Sequence, residues 1–253
     1  MLFLMPPRIL KWDLQSHNQR YQTNKKILVT SGCSFTNCNN LSLASNWPGY
    51  VRDRCGFEYC VDLSYPGVGN EYIANSVLNY VDALSIEQRK EIILIVMWSG
   101  LDRLETLTKD LSKTAPSIDG IEYRRANHGN NISNELSAAE VWRSWKNIVF
   151  LDSYLCMQNI QYAFTSYVNL LDPPFFPKRD LTPHFFGNLS KDKLQTLKSM
   201  PWLHNHQDCL FEYCFKNDHL SSDLFHPNYQ GGYNWTDYVL LPGMLVKEFI
   251  QKL

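Results

Sequence analysis

Charge imbalance is missing from this sequence: 24 Lys and Arg face 25 Asp and Glu, leaving a net charge of -1. Nothing in that balance favours a nucleic-acid backbone or an anionic membrane surface, and the dispersed basic residues read as an ordinary solvated surface. Long hydrophobic runs are missing too, since no apolar stretch reaches the roughly 18–20 residues that a membrane-spanning helix needs. There is no Pro/Gly/Ser-rich linker, no internal repeat and no low-complexity tract. The 253 residues, 44% of them hydrophobic, therefore read as one large domain over 1–253. The seven cysteines are odd in number and irregularly spaced, so they do not read as a disulfide framework. Residues 1–10 are apolar but too short for a secretory segment and run into polar sequence. Reduced thiols in a cytoplasm are the expectation.

Two site types are also excluded by what is lacking. His204, His206, Asp208, Cys209, Cys214 and His219 have ligand chemistry, but their spacing fits no closed zinc set. Pro66-Gly67-Val68-Gly69-Asn70 suggests a phosphate-cradling turn, yet the lysine and the serine or threonine of a P-loop are absent. No metal and no cofactor is expected.

What is present is an alternation of short apolar runs with longer helical patterns, which predicts an α/β sheet with crossover helices. Strands are predicted at 26–31, 58–63, 92–98 and 161–167. The run Ile92-Ile93-Leu94-Ile95-Val96-Met97 is apolar at every position, as in a parallel strand covered on both faces, and should lie centrally. Helical spacing of Ile73, Val77, Leu78 and Val81 predicts a helix over 71–84, with Asn70 as its cap. Val141, Trp145, Ile148 and Val149 predict another over 134–158. A last helix is expected over about 234–252, with Pro242 and Gly243 kinking it. Thr108 to Ser133 reads as a polar excursion from the sheet. The stretch at about 170–222, rich in aromatics and in prolines at 173, 174, 177, 183 and 201, reads as an irregular insertion over a site.

The segment Lys25 to Thr36 carries the chemistry, because an apolar strand ends on a glycine-flanked serine and a short polar turn. A serine hydroxyl needs a base to remove its proton, and the base needs a third group to orient it. Late in the chain Asp223 and His226, three residues apart and followed by Pro227-Asn228, supply both. Cys33 should point to the opposite face from Ser34 and read as packing.

These residues resemble the SGNH, or GDSL-type, hydrolase family. Gly32-Cys33-Ser34-Phe35-Thr36 stands where the family has its first block, with Cys33 in place of aspartate, and Asp223-x-x-His226 matches the last. Gly67-Val68-Gly69-Asn70 is similar to the second block, whose glycine amide serves the oxyanion hole, with Gly67 the better match and Gly69 the other. The third block departs from the pattern: after the third strand the chain reads Trp98-Ser99-Gly100-Leu101-Asp102-Arg103, without the asparagine that donates to the oxyanion. The resemblance implies a flavodoxin-like three-layer α/β/α sandwich with a mainly parallel sheet of about five strands. It implies a serine esterase with Ser34, His226 and Asp223 as triad and Ser34, Gly67 and Ser99 as oxyanion donors. The substrate expected is a small-molecule or saccharide ester, with an O-acetylated carbohydrate favoured. Two alternatives stay open: a catalytically weakened module that binds a glycan or peptide, and an acyltransferase using the same serine.

Overall fold

A computed structural model of the chain describes residues 8–10, 21–37, 46–101, 103, 105–108, 117–118, 121–125, 134–170, 190–204, 209–219, 229–246 and 248–252. Apolar side chains at every position commit Ile92–Trp98 to a strand buried on both faces, and all seven residues are buried. This strand, β5, lies inside a five-stranded sheet. The sheet also contains β1 (Arg8–Leu10), β3 (Ile27–Ser31), β4 (Tyr59–Asp62) and β9 (Gln161–Ser166), and its order is β1-β4-β3-β5-β9. The four strands β4, β3, β5 and β9 run parallel, and β1 adds an antiparallel edge. Register pairs Thr30 with Asp62 on one side and with Ile95 on the other, so β4 ends level with Thr30, β3 one residue further on and β5 three residues further on.

The crossovers explain the layering. From β3 the chain passes through α1 (Trp47–Cys55) to β4, then through α2 (Asn70–Asp82) back across β3 to β5. Two crossovers of the same hand running in opposite directions put their helices on opposite faces of the sheet. Accordingly α1 packs on β3 and β4 and meets α7 (Tyr229–Trp235), whereas α2 packs on β3 and β5 and meets α4 (Asn134–Met157). Ser31 marks the α2 face, its hydroxyl sharing a hydrogen bond with Ser76 at 3.0 Å. The result is the expected three-layer α/β/α arrangement. Between α2 and β5, Ser85 caps a short helix, α3 (Ile86–Lys90), through a reciprocal capping box with Gln88.

The order of strands reverses direction at β3, with β4 on one side and β5 on the other. In open α/β sheets the crevice beyond the carboxyl end of such a strand is where ligands bind. The residues that follow β3 are Gly32-Cys33-Ser34.

Four predicted elements agree closely with the fold: the strands at 26–31, 58–63, 92–98 and 161–167 appear as β3, β4, β5 and β9. The helices predicted over 71–84 and 134–158 appear as α2 and α4. The last helix differs. Tyr229–Trp235 is followed by a π-helical turn, Thr236–Leu240, and then α8 (Leu241–Val246), while β10 (Gln251–Lys252) pairs antiparallel with β2 (Tyr21–Gln22). Pro242 thereby follows the π-helical turn directly, in backbone that stays helical through Leu241. Gly243 lies against the Leu203 backbone, whose carbonyl oxygen would sit 1.8 Å from an added Cβ. Asn70 also departs from expectation: Gly69 is the cap position of α2 and Asn70 its first residue, with its side chain turned elsewhere. The polar excursion contains β6 (Glu105–Thr108), β7 (Ser117–Ile118) and β8 (Ile121–Arg125), a small antiparallel sheet in the order β6-β8-β7. The described part of the 170–222 insertion holds α5 (Lys191–Lys198), capped by Ser190, and α6 (Leu210–Lys216).

Candidate active site

Ser34 owes its position to Gly32. A Cβ at residue 32 would stand 2.2 Å from Thr36 Oγ1 and 3.2 Å from the Met97 carbonyl oxygen, so only glycine lets the chain fold back so tightly against β5. The amides of Thr36 and Asn37 both donate to the Cys33 carbonyl at 3.0 Å, closing the turn. Cys33 is fully buried inside it, as expected of a packing residue, and Ser34 is half-buried at its apex.

The loop after β4 lies against this turn. The Tyr65 amide donates to the Gly32 carbonyl at 3.1 Å, and the Asn37 side chain donates to the Ser64 carbonyl at 2.7 Å. Gly67 in that loop has φ +83°, a left-handed conformation that disfavours any side chain. Asp62 organises the start of the loop by accepting from the amide of Ser64 at 2.9 Å and from its hydroxyl.

Ser99 begins the loop after β5. It is fully buried, its amide donates to Asn70 Oδ1 at 2.8 Å, and its hydroxyl has no hydrogen-bond partner among the described residues. Asn70 spends its amide nitrogen on the carbonyls of Ser99 and Gly100, both at 3.2 Å, and on Ser144 Oγ at 3.1 Å. This side chain therefore ties the second-block loop to the third-block loop rather than capping its helix.

Three further residues complete the loop contacts. Arg103 donates to the Val68 carbonyl at 2.9 Å and lies 5.7 Å from the centre of the Tyr167 ring. Asp102 lies outside the described residues. Tyr167, just past β9, stacks on Phe35 at 4.2 Å with the rings 11° apart. Glu105 accepts from the amides of Gly69 at 2.7 Å, Glu71 at 2.9 Å and Tyr72 at 3.2 Å, which places its carboxylate on the amino end of α2. Burial pushes Glu105 up to about 7 against the pull of those three amides. Its neighbours follow no helix or strand period that would have singled it out.

Asp223 and His226 lie outside the described residues. The two ends of their segment do not. His219 and Gly231 are in close contact, with the His219 carbonyl oxygen 2.8 Å from where a Cβ on Gly231 would stand, and the Asn234 amide group lies 3.1 Å from His219 Nε2. The segment thus leaves and re-enters the fold at one place. Its far end continues into α7, where Tyr233 stacks on Tyr50 of α1 at 4.5 Å and Trp235 meets Trp47 edge to face at 6.2 Å. α1 follows the Ser34 turn, and Asn46 at its head donates to the Thr36 carbonyl at 2.7 Å.

The same architecture recurs in solved structures. TesA superposes with a TM-score of 0.52 at 9% identity, over 87% of this chain and 99% of that one. A lipase from a goat rumen metagenome gives 0.50 at 13% identity, over 88% and 97%. An esterase, EstA, from Pseudoalteromonas sp. gives 0.47 at 13% identity, over 88% and 97%. The chain shares the three-layer α/β/α fold of the first two, the fold that the resemblance to the SGNH, or GDSL-type, hydrolases implies. No family model matches the sequence, and no curated protein is significantly similar to it.

Within the SGNH fold the three expected residues that are described, Ser34, Gly67 and Ser99, follow the carboxyl ends of three adjacent strands, β3, β4 and β5. Of the residues with metal-ligand chemistry, His204 accepts from the Ser166 amide at 3.3 Å and Cys209 lies 3.3 Å from the Ser166 hydroxyl, while His206 and Asp208 lie outside the described residues. No group of three ligating side chains is assembled among the described residues. A cavity of about 450 Å³, lined by Asp152, Tyr162, Ser199, Met200 and Phe249 among others, opens at the amino end of β9. It lies at the opposite end of the sheet from Ser34. Among the described residues no helix is long and apolar enough to cross a membrane.

Proposed function

We propose that this chain is an ester hydrolase in which Ser34 attacks the acyl carbon, His226 removes the serine proton, and Asp223 orients the imidazole. The observation that carries this reading is the Ser34 turn: a half-buried serine held by an obligatory glycine at the point where the sheet reverses its order. A hydroxyl so placed becomes a nucleophile only with a base, and the Asp223-His226 pair is the base this sequence supplies. The tetrahedral oxyanion would accept hydrogen bonds from the backbone amides of Ser34 and Gly67. The Ser99 hydroxyl, which has no partner among the described residues, is the third donor in this reading. Collapse of the intermediate expels the alcohol, protonated by His226, and water then releases the acid from the acyl-serine.

The substrate reading is a small acyl group on a saccharide, an acetyl ester first. The test is intact mass after treatment with a fluorophosphonate ester. A single adduct on wild type that is lost in Ser34→Ala supports the serine mechanism, and acetyl esters are then assayed with and without an alcohol acceptor to separate hydrolysis from acyl transfer. No adduct on folded wild type overturns it. The second reading, a glycan- or peptide-binding module, is favoured by one feature: the third block, Trp98-Ser99-Gly100-Leu101-Asp102-Arg103, lacks the asparagine donor.

A further inference from the structure

We infer that Arg103 and Glu105 are positioning residues that hold the Gly67 amide in its oxyanion-binding orientation by gripping one peptide plane from both sides. The inference rests on the ester-hydrolase reading. The plane is the Val68–Gly69 peptide: Arg103 Nη1 donates to its carbonyl oxygen at 2.9 Å, and Glu105 Oε1 accepts from its N–H at 2.7 Å. A peptide unit is rigid, so fixing both its oxygen and its hydrogen fixes its tilt. The side chain of Val68 is buried, which restrains the torsions of the one residue between this plane and Gly67.

The grip extends in two directions. The second carboxylate oxygen of Glu105 accepts from Glu71 and Tyr72, joining the loop to the first turn of α2. The guanidinium of Arg103 lies over Tyr167, whose other neighbour is Phe35, the residue after the nucleophile. Gly69 is the residue this closeness demands: an added Cβ would stand 2.9 Å from the Arg103 carbonyl oxygen and 2.9 Å from Glu105 Cγ and Cδ. Catalysis requires such stiffness, because an oxyanion donor acts only when it is already aimed at the developing charge. One well-aimed donor changes kcat by roughly 10²–10³. Gly67 has a left-handed backbone and no side chain, so nothing within the residue itself holds that aim.

The experiment compares full-length wild type with Glu105→Gln, Glu105→Ala, Arg103→Lys and Arg103→Ala. The readouts are kcat and KM for p-nitrophenyl acetate, thermal midpoint, and amide hydrogen exchange of segments 63–72 and 92–98. The alanine variants should lose roughly tenfold to a hundredfold in kcat with KM within about twofold. Exchange should rise at Gly69 and its neighbours but not in β5. Arg103→Lys keeps one donor within reach of the Val68 carbonyl and should recover most of the loss of Arg103→Ala. Wild-type kcat in folded variants, an equal loss in KM, or no rise in exchange at 63–72 would overturn the assignment. Where an alanine variant fails to fold, Glu105→Gln and Arg103→Lys carry the same comparison. If wild type cleaves no ester, the hydrolase reading fails on its own, and the catalytic role falls with it even where exchange shows the grip itself to be real.

Discussion

Glu212→Gln should make the protein more stable than wild type at alkaline pH, by a margin that vanishes in acid. Glu212 lies in α6 and is 9% exposed; one carboxylate oxygen accepts from the Asn169 amide at 2.7 Å, and the other is buried without a hydrogen-bond partner among the described residues. Burial pushes its carboxyl up from 4.5 to about 7, with the Asn169 amide and the Lys216 charge opposing. Between those two pH values the folded state holds a proton that the unfolded state has released, so stability falls as pH rises through this window. Below 4.5 the contribution is fully present, and above about 7 it is gone. At about 1.4 kcal/mol per pH unit the window amounts to about 3 kcal/mol. Glutamine reproduces the protonated form, keeping an oxygen for Asn169 and carrying no charge. The thermal midpoint of Glu212→Gln minus that of wild type should therefore rise by roughly 6–12 °C between pH 4.5 and pH 8.5, given roughly 2–4 °C per kcal/mol for a chain of this size. Subtracting the two proteins removes the parallel effect of Glu105. Scanning calorimetry at five pH values is the assay. A difference independent of pH, or one that shrinks as pH rises, would refute the claim that Glu212 is a buried, under-solvated acid.

Three further outcomes are expected. Gly69→Ala should cost about 1–3 kcal/mol, read as a lower thermal midpoint, because the new methyl meets the Arg103 backbone and Glu105 at 2.9 Å. Ser99→Ala removes a buried hydroxyl with no partner among the described residues, so the midpoint should hold or rise, while kcat for p-nitrophenyl acetate falls at least tenfold. Asp237→Ala should cost about 2 kcal/mol by denaturant titration, because it strips an acceptor from Tyr50 Oη at 2.7 Å and from Arg54, whose side chain is only 12% exposed, at 2.9 Å.

The elements that were legible in the sequence are those whose burial alone dictates their residues. β5 is covered on both faces, so it is apolar at every position, and α2 shows its stripe because one side of it meets the sheet. Ser34 was legible for a different reason: the glycine before it is a packing necessity that leaves a mark in the sequence. Glu105 leaves none, since a carboxylate at the head of a distant helix needs only to arrive there through the fold. The end of the chain misled for a related reason. Its apolar residues suit one helix, yet contacts with α1 and with the Leu203 backbone divide it into α7, a π turn and α8.

Asn70 bears on the departure in the third block. Its amide reaches the carboxyl end of β5, where the family's missing asparagine would stand, but it is already committed to three acceptors around Ser99, Gly100 and Ser144. Redirecting it to a substrate would leave buried carbonyls unpaired at about 1–3 kcal/mol each, comparable to what one donor gives back in the transition state. Asn70 is therefore better suited to joining the two loops than to replacing the absent donor. On the hydrolase reading the oxyanion then depends on the backbone amides of Ser34 and Gly67 and on the Ser99 hydroxyl, and the geometry of Gly67 matters more than it would with an asparagine beside it. The heavy investment of Arg103 and Glu105 in a single peptide plane next to that glycine is what such a dependence requires.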